Sequence, residues 1–580
     1  MNTKKLRYLT LLALVIAYTG CDLKQDEKSQ KSSVVKVPTV TTGLAAVAIP
    51  DKYAAQISQD VLSAGGNAVD AAIAVGFALA VTFIDAGNIG GGGFMTIKMQ
   101  DEVAFLDYRE KAPVAAHKNM YLGPDGNVIE NITLIGGQAA GVPGTVAGFW
   151  RAHQRFGSLP WKDLVSPAIE LAKNGFMPAS ILVDDIQKAT DWFGNQTNFN
   201  EYFASIQHDK VFKQAELAAT LTRIAELGAD DFYRGETARL IIAQMEESNG
   251  LISADDLSNY QAVWREPLRA KWRGYEVISS PPPSSGGFAV IQLLKMKDYL
   301  GDLFQGLEHN TAQYIHLVAE MEKRVFADRA EYLGDPDFVD VDLNAIINDS
   351  YIKRRAAEVN ATAISELQGV TPGLESPNTT HYSIVDAQGN AVSNTYTINW
   401  SYGSGVVVEG AGFLLNNEMD DFSAKPGVPN IFGVVGDQAN EIQPGKRMLS
   451  SMSPTILLKD GAVEMVLGTP GGSTIFTTVF QVIVNIIDFN MTAEEAVSAT
   501  RFHHQLLPPD LITYNGFQID RPLPEETIAS LAARGYRALP HDYEFGDVQL
   551  IMKQGDSWTA ASDPRDRGVS RVFEVVVPDS

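Results

Sequence analysis

Cysteine is almost missing from this chain: among 580 residues there is one, Cys21. With no second thiol, no intramolecular disulfide can brace the fold, and there is no Cys-x-x-Cys pair for metal or redox chemistry. Basic residues are scarce as well, 46 Lys and Arg against 70 Asp and Glu, for a formal net charge of -24. Such a chain repels phosphate backbones and anionic bilayers, which argues against nucleic acid as a partner. Long apolar runs are absent beyond the N-terminus. Ala68 to Phe83 is nearly all apolar, yet it is too short to cross a bilayer and carries Asp70, so it reads as a buried core helix. No His-Glu-x-x-His and no internal repeat occurs. The glycine run from Gly87 to Phe94 lacks the Gly-Lys-Ser/Thr ending of a P-loop and follows a helix instead of a strand, so it reads as close backbone packing. Metal and nucleotide cofactors are therefore not indicated, and none is expected.

What is present begins with an export device. Lys4, Lys5 and Arg7 precede an apolar run from Leu9 to Ala17, followed by Thr19-Gly20-Cys21. Cys21 directly after Gly20 resembles a bacterial lipoprotein signal, in which the cysteine is lipidated and becomes the new N-terminus. A plain secretory signal is the alternative, because Tyr18 is unusual at its position in that motif. Asp22 resembles an inner-membrane retention signal. The expected layout is a signal peptide over 1–20, a polar tether over 21–40 and folded structure from Thr41. The expected location is the periplasm, with a lipid on Cys21 as the only membrane contact.

The rest, at 45% hydrophobic and 20% charged residues overall, has the composition of a globular protein. Ala54 to Ala64 has a helical apolar stripe broken by Gly65-Gly66, and Asn67 caps the helix that follows. Strands are predicted at Phe94 to Met99 and Val103 to Tyr108, ending at Arg109, whose planar fork suits a carboxylate. Gly144 to Leu367 reads as largely helical, with amphipathic segments at Trp161–Asn174, Leu217–Leu227, Glu236–Ser248 and Asn310–Tyr332. His316 and Glu320 lie four apart on the last of these, a metal-compatible spacing. Without a third ligand they read as an ordinary exposed helix face. Pro281 to Gly287 is a rigid turn with no serine-hydrolase elbow around it.

The chain is organised around Pro377-Asn378-Thr379-Thr380-His381-Tyr382-Ser383-Ile384-Val385-Asp386. Gln368 to Asn378 lacks an apolar period and reads as an exposed connection. Two strands follow, His381 to Asp386 and Ala391 to Ile398, joined by the turn Ala387 to Asn390. A threonine hydroxyl is a poor nucleophile without a base beside it, and a chain-terminal threonine carries one in its α-amino group, of pKa about 7.7 to 8.0. An internal Thr379 has only an amide nitrogen. Catalysis by Thr379 therefore requires cleavage between Asn378 and Thr379.

Further polar groups crowd after Thr379: Thr397 and Asn399, Asn416 to Phe422, Ser450 to Pro454, and Gly468 to Ser473. In this order, together with Gly65 to Ala72, Gly90 to Phe94, Asp107 to Glu110 and Ala561 to Arg565, they resemble the γ-glutamyltranspeptidases. The resemblance runs from about Thr41 to the C-terminus. It implies an α+β fold, the four-layer αββα sandwich of the N-terminal nucleophile hydrolases, made as a precursor that cuts itself. The large subunit would be 41–378 and the small catalytic subunit 379–580, a heterodimer from one chain that forms one folded unit.

Carried over by position, the resemblance makes Thr379 the nucleophile, Thr397 its orienting partner, and Gly471 and Gly472 the backbone oxyanion hole. Arg109, Ser450 and Ser451 would hold a donor's α-carboxylate, while Asn399, Glu418 and Asp421 would hold its α-ammonium. The implied donors are γ-glutamyl amides such as glutathione, and the acceptors are water or the amines of amino acids and short peptides. Pro426 to Lys446 resembles a lid loop, with Phe432 where tyrosine is expected, and Trp400 and Tyr402 are expected to reshape the acceptor side. A glutaryl-cephalosporin acylase or a poly-γ-glutamate enzyme with the same nucleophile is the nearest alternative. A lipid-anchored binding protein that lost catalysis is the more distant one.

Overall fold

The computed structural model describes residues 42–365, 379–425, 427–428, 438–515, 522–541 and 546–576. The export signal, Cys21, the tether, the whole Gln368–Asn378 connection and Phe432 lie outside the described residues. The contacts of Thr41 to Ser580 tie them into one unit.

Two antiparallel sheets form its centre. In spatial order the first contains Val569–Val576, Thr42–Ile49, Thr380–Val385, Ala391–Thr397, Gly92–Met99, Glu102–Asp107 and Val263–Arg265. The second contains Ser557–Ser562, Gln549–Gln554, Ala462–Gly468, Thr455–Lys459, Tyr275–Ser279 and Leu268–Trp272. Ala46, Ala48, Val385, Ile456, Val466 and Ile551 pack between the sheets. Polar ties cross the same gap: Ser383 Oγ donates to the Gln549 carbonyl at 2.9 Å and Ser393 Oγ to that of Leu467 at 3.0 Å.

Helices cover both outer faces, which completes the expected αββα sandwich. Ala68–Thr82 lies on the first sheet, where Tyr382 and Tyr396 donate to its Ala72 and Gly76 carbonyls at 2.8 and 3.0 Å. Gly286–Tyr299 and Ile475–Ile487 cover the second sheet. This explains the alternation after Thr379. Every residue of Thr380–Val385 is buried, because His381, Ser383 and Val385 face the opposing sheet while Tyr382 and Ile384 face the helices.

The helix Ala68–Thr82 starts where the sequence predicts. Asn67 Oδ1 accepts from the Val69 and Asp70 amides at 2.8 and 3.0 Å, and Asp70 returns the bond to Asn67 N at 3.0 Å. Asn67→Ala is expected to cost about 1 to 2 kcal/mol in a denaturant titration, with little change in activity. The glycine run does serve close packing. A Cβ on Gly90 would stand 2.1 Å from the Leu414 carbonyl oxygen, and one on Gly91 would stand 2.0 Å from that of Thr397.

One expectation gains detail and one needs correction. Gly144 to Leu367 is largely helical, as expected, and also supplies the strands Val263–Arg265, Leu268–Trp272 and Tyr275–Ser279, the first at the edge of one sheet and the others at the edge of its partner. His316 and Glu320 are not on an exposed face; both are buried. His316 bonds Tyr536 Oη at 2.9 Å and the Asn360 carbonyl at 2.8 Å, while Glu320 takes Lys323 at 2.7 Å and Arg324 at 3.0 Å. These partners account for the pair as a satisfied polar core.

Candidate active site

Thr379 stands one residue before the Thr380–Val385 strand and is 8% exposed. Its hydroxyl points to Thr397 Oγ1 at 3.4 Å, at the end of the neighbouring strand. Thr397 Oγ1 also accepts from the Asn399 amide at 2.8 Å. The bond at Asn399 bends the backbone into the left-handed region, with φ 74°. That bend carries the chain off the sheet, and Asn399 Nδ2 reaches the Asn417 carbonyl at 3.0 Å.

Asn416 holds the next segment. Its Nδ2 donates to the Gly90 and Gly141 carbonyls, each at 2.8 Å, and its Oδ1 accepts from the Glu418 amide at 3.0 Å. Glu418–Asp421 then forms a short 3-10 turn whose side chains meet Arg109. Arg109 is fully buried, and its two terminal nitrogens pair with Glu418 and Asp421. Its Nε reaches the Met448 carbonyl at 3.3 Å, and Glu110 lies 3.6 Å from it. Thus the arginine that sequence spacing alone leaves as a strand-end charge is an interior ion-pair centre.

Charge here is unevenly matched. Burial lowers the Arg109 pKa, but Glu418, Asp421 and Glu110 more than offset this and leave it raised. Burial pushes the Glu418 and Asp421 carboxyls up against the pull of Arg109, and Glu110 rises to about 7 for the same reason. Three carboxyls gather around Arg109, and Arg329, which lines a recess together with Arg109, adds a second cation that acts on Asp421.

Ser450 and Ser451 sit on a segment fixed by the Pro281–Gly287 turn. The Ser450 amide donates to the Pro283 carbonyl at 2.8 Å, and the Ser450 carbonyl accepts from the Ser285 amide at 2.8 Å. Ser280 and Ser284 hydroxyls donate to the Met452 carbonyl at 2.8 and 2.7 Å. The Pro-Pro-Pro-Ser-Ser motif is therefore a platform for these serines, a use that its local pattern does not reveal.

Gly471 and Gly472 open the helical run that becomes Ile475–Ile487, with φ of 134° and 55°. A Cβ on Gly471 would stand 2.4 Å from Thr474 Oγ1, so a side chain is disfavoured by both space and φ. Backbone N–H groups at such a start lack intrahelical acceptors and lie at the positive end of the helix dipole.

Thr379, Thr397, Asn399, Arg109, Glu418, Asp421, Ser450, Ser451 and Gly472 all line one recess. Gly471 is adjacent to that lining. The recess also contains Met452 and Ser473, which fall within the sequence motifs without an assigned role, and Arg329 and Ile475, which the sequence reading missed. Tyr402 does not line the recess. It is 3% exposed, and its ring packs against Phe199 with centroids 5.2 Å apart. Trp400 is half-buried. Among the described residues, no helix is long and apolar enough to cross a membrane.

Known proteins resemble this chain in sequence and fold. The family model described as Gamma-glutamyltranspeptidase matches residues 54–573. A glutathione hydrolase proenzyme of Pseudomonas aeruginosa is 56% identical over 529 residues, covering 91% of this chain and 94% of its own. A solved cephalosporin acylase from Bacillus halodurans superposes with a TM-score of 0.79 at 25% identity, covering 94% of this chain and 98% of its own. A solved γ-glutamyltranspeptidase from Pseudomonas nitroreducens complexed with L-DON superposes at 0.54 with 55% identity, covering 55% of this chain and 94% of its own.

Proposed function

The chain belongs to the γ-glutamyltranspeptidase family, an enzyme family, and from that premise we propose how its recess carries out γ-glutamyl hydrolysis and transfer. The Asn378–Thr379 peptide bond opens first, which frees the Thr379 amine. That amine takes the Thr379 hydroxyl proton as Oγ attacks the γ-carbonyl of a γ-glutamyl amide such as glutathione. Thr397 orients the hydroxyl, and the oxyanion rests on the Gly471 and Gly472 N–H groups. The C–N bond breaks as the leaving amine takes the proton, and a γ-glutamyl ester stays on Thr379. Water then releases glutamate, or the amine of an amino acid or short peptide takes the glutamyl group.

Donor selection follows from charge. Arg109, Ser450 and Ser451 hold the α-carboxylate, and Asn399, Glu418 and Asp421 hold the α-ammonium. The convergence of all these residues with Thr379 on one recess is the observation that carries this reading. The excess of carboxyls around Arg109 favours a glutamyl over a glutaryl donor, which lacks the ammonium. Turnover of γ-glutamyl and glutaryl anilides, measured side by side, is expected to favour γ-glutamyl by tenfold or more in kcat/KM. A glutaryl preference would place the protein with the acylases instead.

The two halves, 41–378 and 379–580, stay together as a heterodimer because their strands alternate within the same sheets. Export through the N-terminal signal and attachment through a lipid on Cys21 complete the proposal. Their support is the sequence pattern from Lys4 to Cys21.

A further inference from the structure

Each N–H group proposed above for the oxyanion belongs to a peptide plane whose carbonyl is held by a threonine hydroxyl. Gly471 N shares its plane with the Pro470 carbonyl, and Thr469 Oγ1 donates to that carbonyl at 2.9 Å. Gly472 N shares its plane with the Gly471 carbonyl, and Thr474 Oγ1 donates to that one at 2.7 Å. A trans peptide is flat, with N–H and C=O pointing in opposite directions, so fixing the carbonyl fixes the direction of the N–H. Thr469 and Thr474 are 0% and 1% exposed, and neither lines the recess.

The Thr469 hydroxyl is itself fixed. It accepts from the Asp547 amide at 2.9 Å, which leaves its single proton for Pro470. Asp547 takes Gln549 Nε2 at 2.8 Å and so ties the loop to the Gln549–Gln554 strand. The approach is close enough to need glycine at 546, where a Cβ would stand 2.3 Å from Arg501 Nη1 and 3.1 Å from Thr469 Oγ1. The Gly471 carbonyl also accepts the Thr474 amide at 2.9 Å, whereas among the described residues the Thr469 hydroxyl is the one donor to Pro470.

We infer that Thr469 and Thr474 are positioning residues, each aiming one N–H of the Gly471–Gly472 pair at the oxygen that becomes negative in the tetrahedral intermediate. This rests on the role given to that pair under the γ-glutamyl reading. Acylation of Thr379 and release of its ester both pass through such an oxyanion, so both steps use the pair. A hydrogen bond on the carbonyl also polarises its peptide and strengthens the N–H as a donor. The donor's α-groups are held by other residues, so their binding does not depend on the two threonines.

Alanine and serine variants at each position isolate the hydroxyl, since both lack the γ-methyl and only serine keeps the hydroxyl. Three quantities are measured per mole of cut chain: kcat for γ-glutamyl anilide hydrolysis and the inhibition constants of two probes. L-2-aminobutyrate has both α-groups and no γ-oxygen. The glutamate analogue with a boronic acid in place of the γ-carboxyl bonds through boron to Thr379 Oγ and puts a tetrahedral oxygen where the oxyanion forms. In Thr469→Ala, kcat is expected to fall roughly tenfold to a hundredfold, less than the loss of a whole oxyanion donor, and the boronate constant to rise by a similar factor. The aminobutyrate constant should stay within about twofold, because that probe does not reach the oxyanion position. Thr469→Ser should stay close to wild type in all three. Thr474→Ala should show the same pattern with a smaller fall, because the Thr474 amide still holds the Gly471 carbonyl, and it carries the test if Thr469→Ala does not fold or is not cut. Equal values for the alanine and serine variants, or equal weakening of aminobutyrate and boronate, would overturn the inference for that position and leave the threonine as a packing residue. Failure of the underlying reading shows in the wild type instead, as a boronate bound no more tightly than aminobutyrate.

Discussion

Thr379→Ala is expected to yield one uncut chain with no measurable γ-glutamyl turnover. The hydroxyl is lost together with the γ-methyl, and two events depend on the hydroxyl. It must attack the preceding peptide bond, and it must later attack the donor's γ-carbonyl. Since the base is the amine that the first event releases, blocking the first also removes the base for the second. The loss is therefore complete and not a partial fall of the kind produced by removing one oxyanion donor, which costs about a hundredfold to a thousandfold. The fold should persist. Thr379 makes one long hydroxyl contact, 3.4 Å to Thr397, and the strand behind it is anchored by Tyr382 and Ser383. A denaturing gel, a melting curve and an anilide assay on one preparation check all three points. Thr379→Ser, which keeps the hydroxyl, should still be cut. An uncut Thr379→Ser chain, or a normally cut Thr379→Ala chain, would remove the hydroxyl from the cleavage step.

Arg109→Met has the second largest expected effect, and it acts on stability as well as on catalysis. The guanidinium is fully buried between Glu418 and Asp421. Removing it leaves two interior carboxylates without their counter-charge, a loss of about 3 to 5 kcal/mol. Both acids should then hold their protons more tightly, because burial pushes their pKa values up and Arg109 supplies the largest pull against it. A protonated pair no longer attracts an α-ammonium, and the carboxylate side has lost a cation. A fall of about a thousandfold or more in kcat/KM is expected, with denaturant unfolding moved to lower concentration. Arg109→Lys should recover part of the stability but little activity, since one ammonium cannot bridge two carboxylates as the fork does.

Much of this site is legible in the sequence because its residues sit beside strand ends and glycine turns that have local signatures. Thr379 opens a strand, Thr397 closes the next, and Gly471-Gly472 precedes a long apolar helix. The helix Trp161–Asn174 has the bounds that its apolar period predicts. The failures have a common cause, which is burial satisfied by distant partners. Leu268–Trp272 carries Arg269 and Lys271 on an edge strand, so its pattern looks like neither a core strand nor a helix. His316 and Glu320 lie on a helix buried around most of its surface, where Glu320 is matched by Lys323 and Arg324 one turn on and His316 by Tyr536 and Asn360 from distant segments. Helical spacing offers the two cations, but only the distant packing shows that this face is buried. Arg329 and the Pro281–Gly287 platform enter the recess only through tertiary packing, so no pattern local to either segment marks them as part of the site.

The central claim is that the chain must open in front of Thr379 before it can work. N-terminal sequencing of the smaller polypeptide in active, purified wild-type protein tests this most directly. The result expected is Thr-Thr-His-Tyr-Ser, the sequence from Thr379 to Ser383. A single unbroken chain that hydrolyses γ-glutamyl anilides, or a small fragment beginning at any other residue, would contradict it.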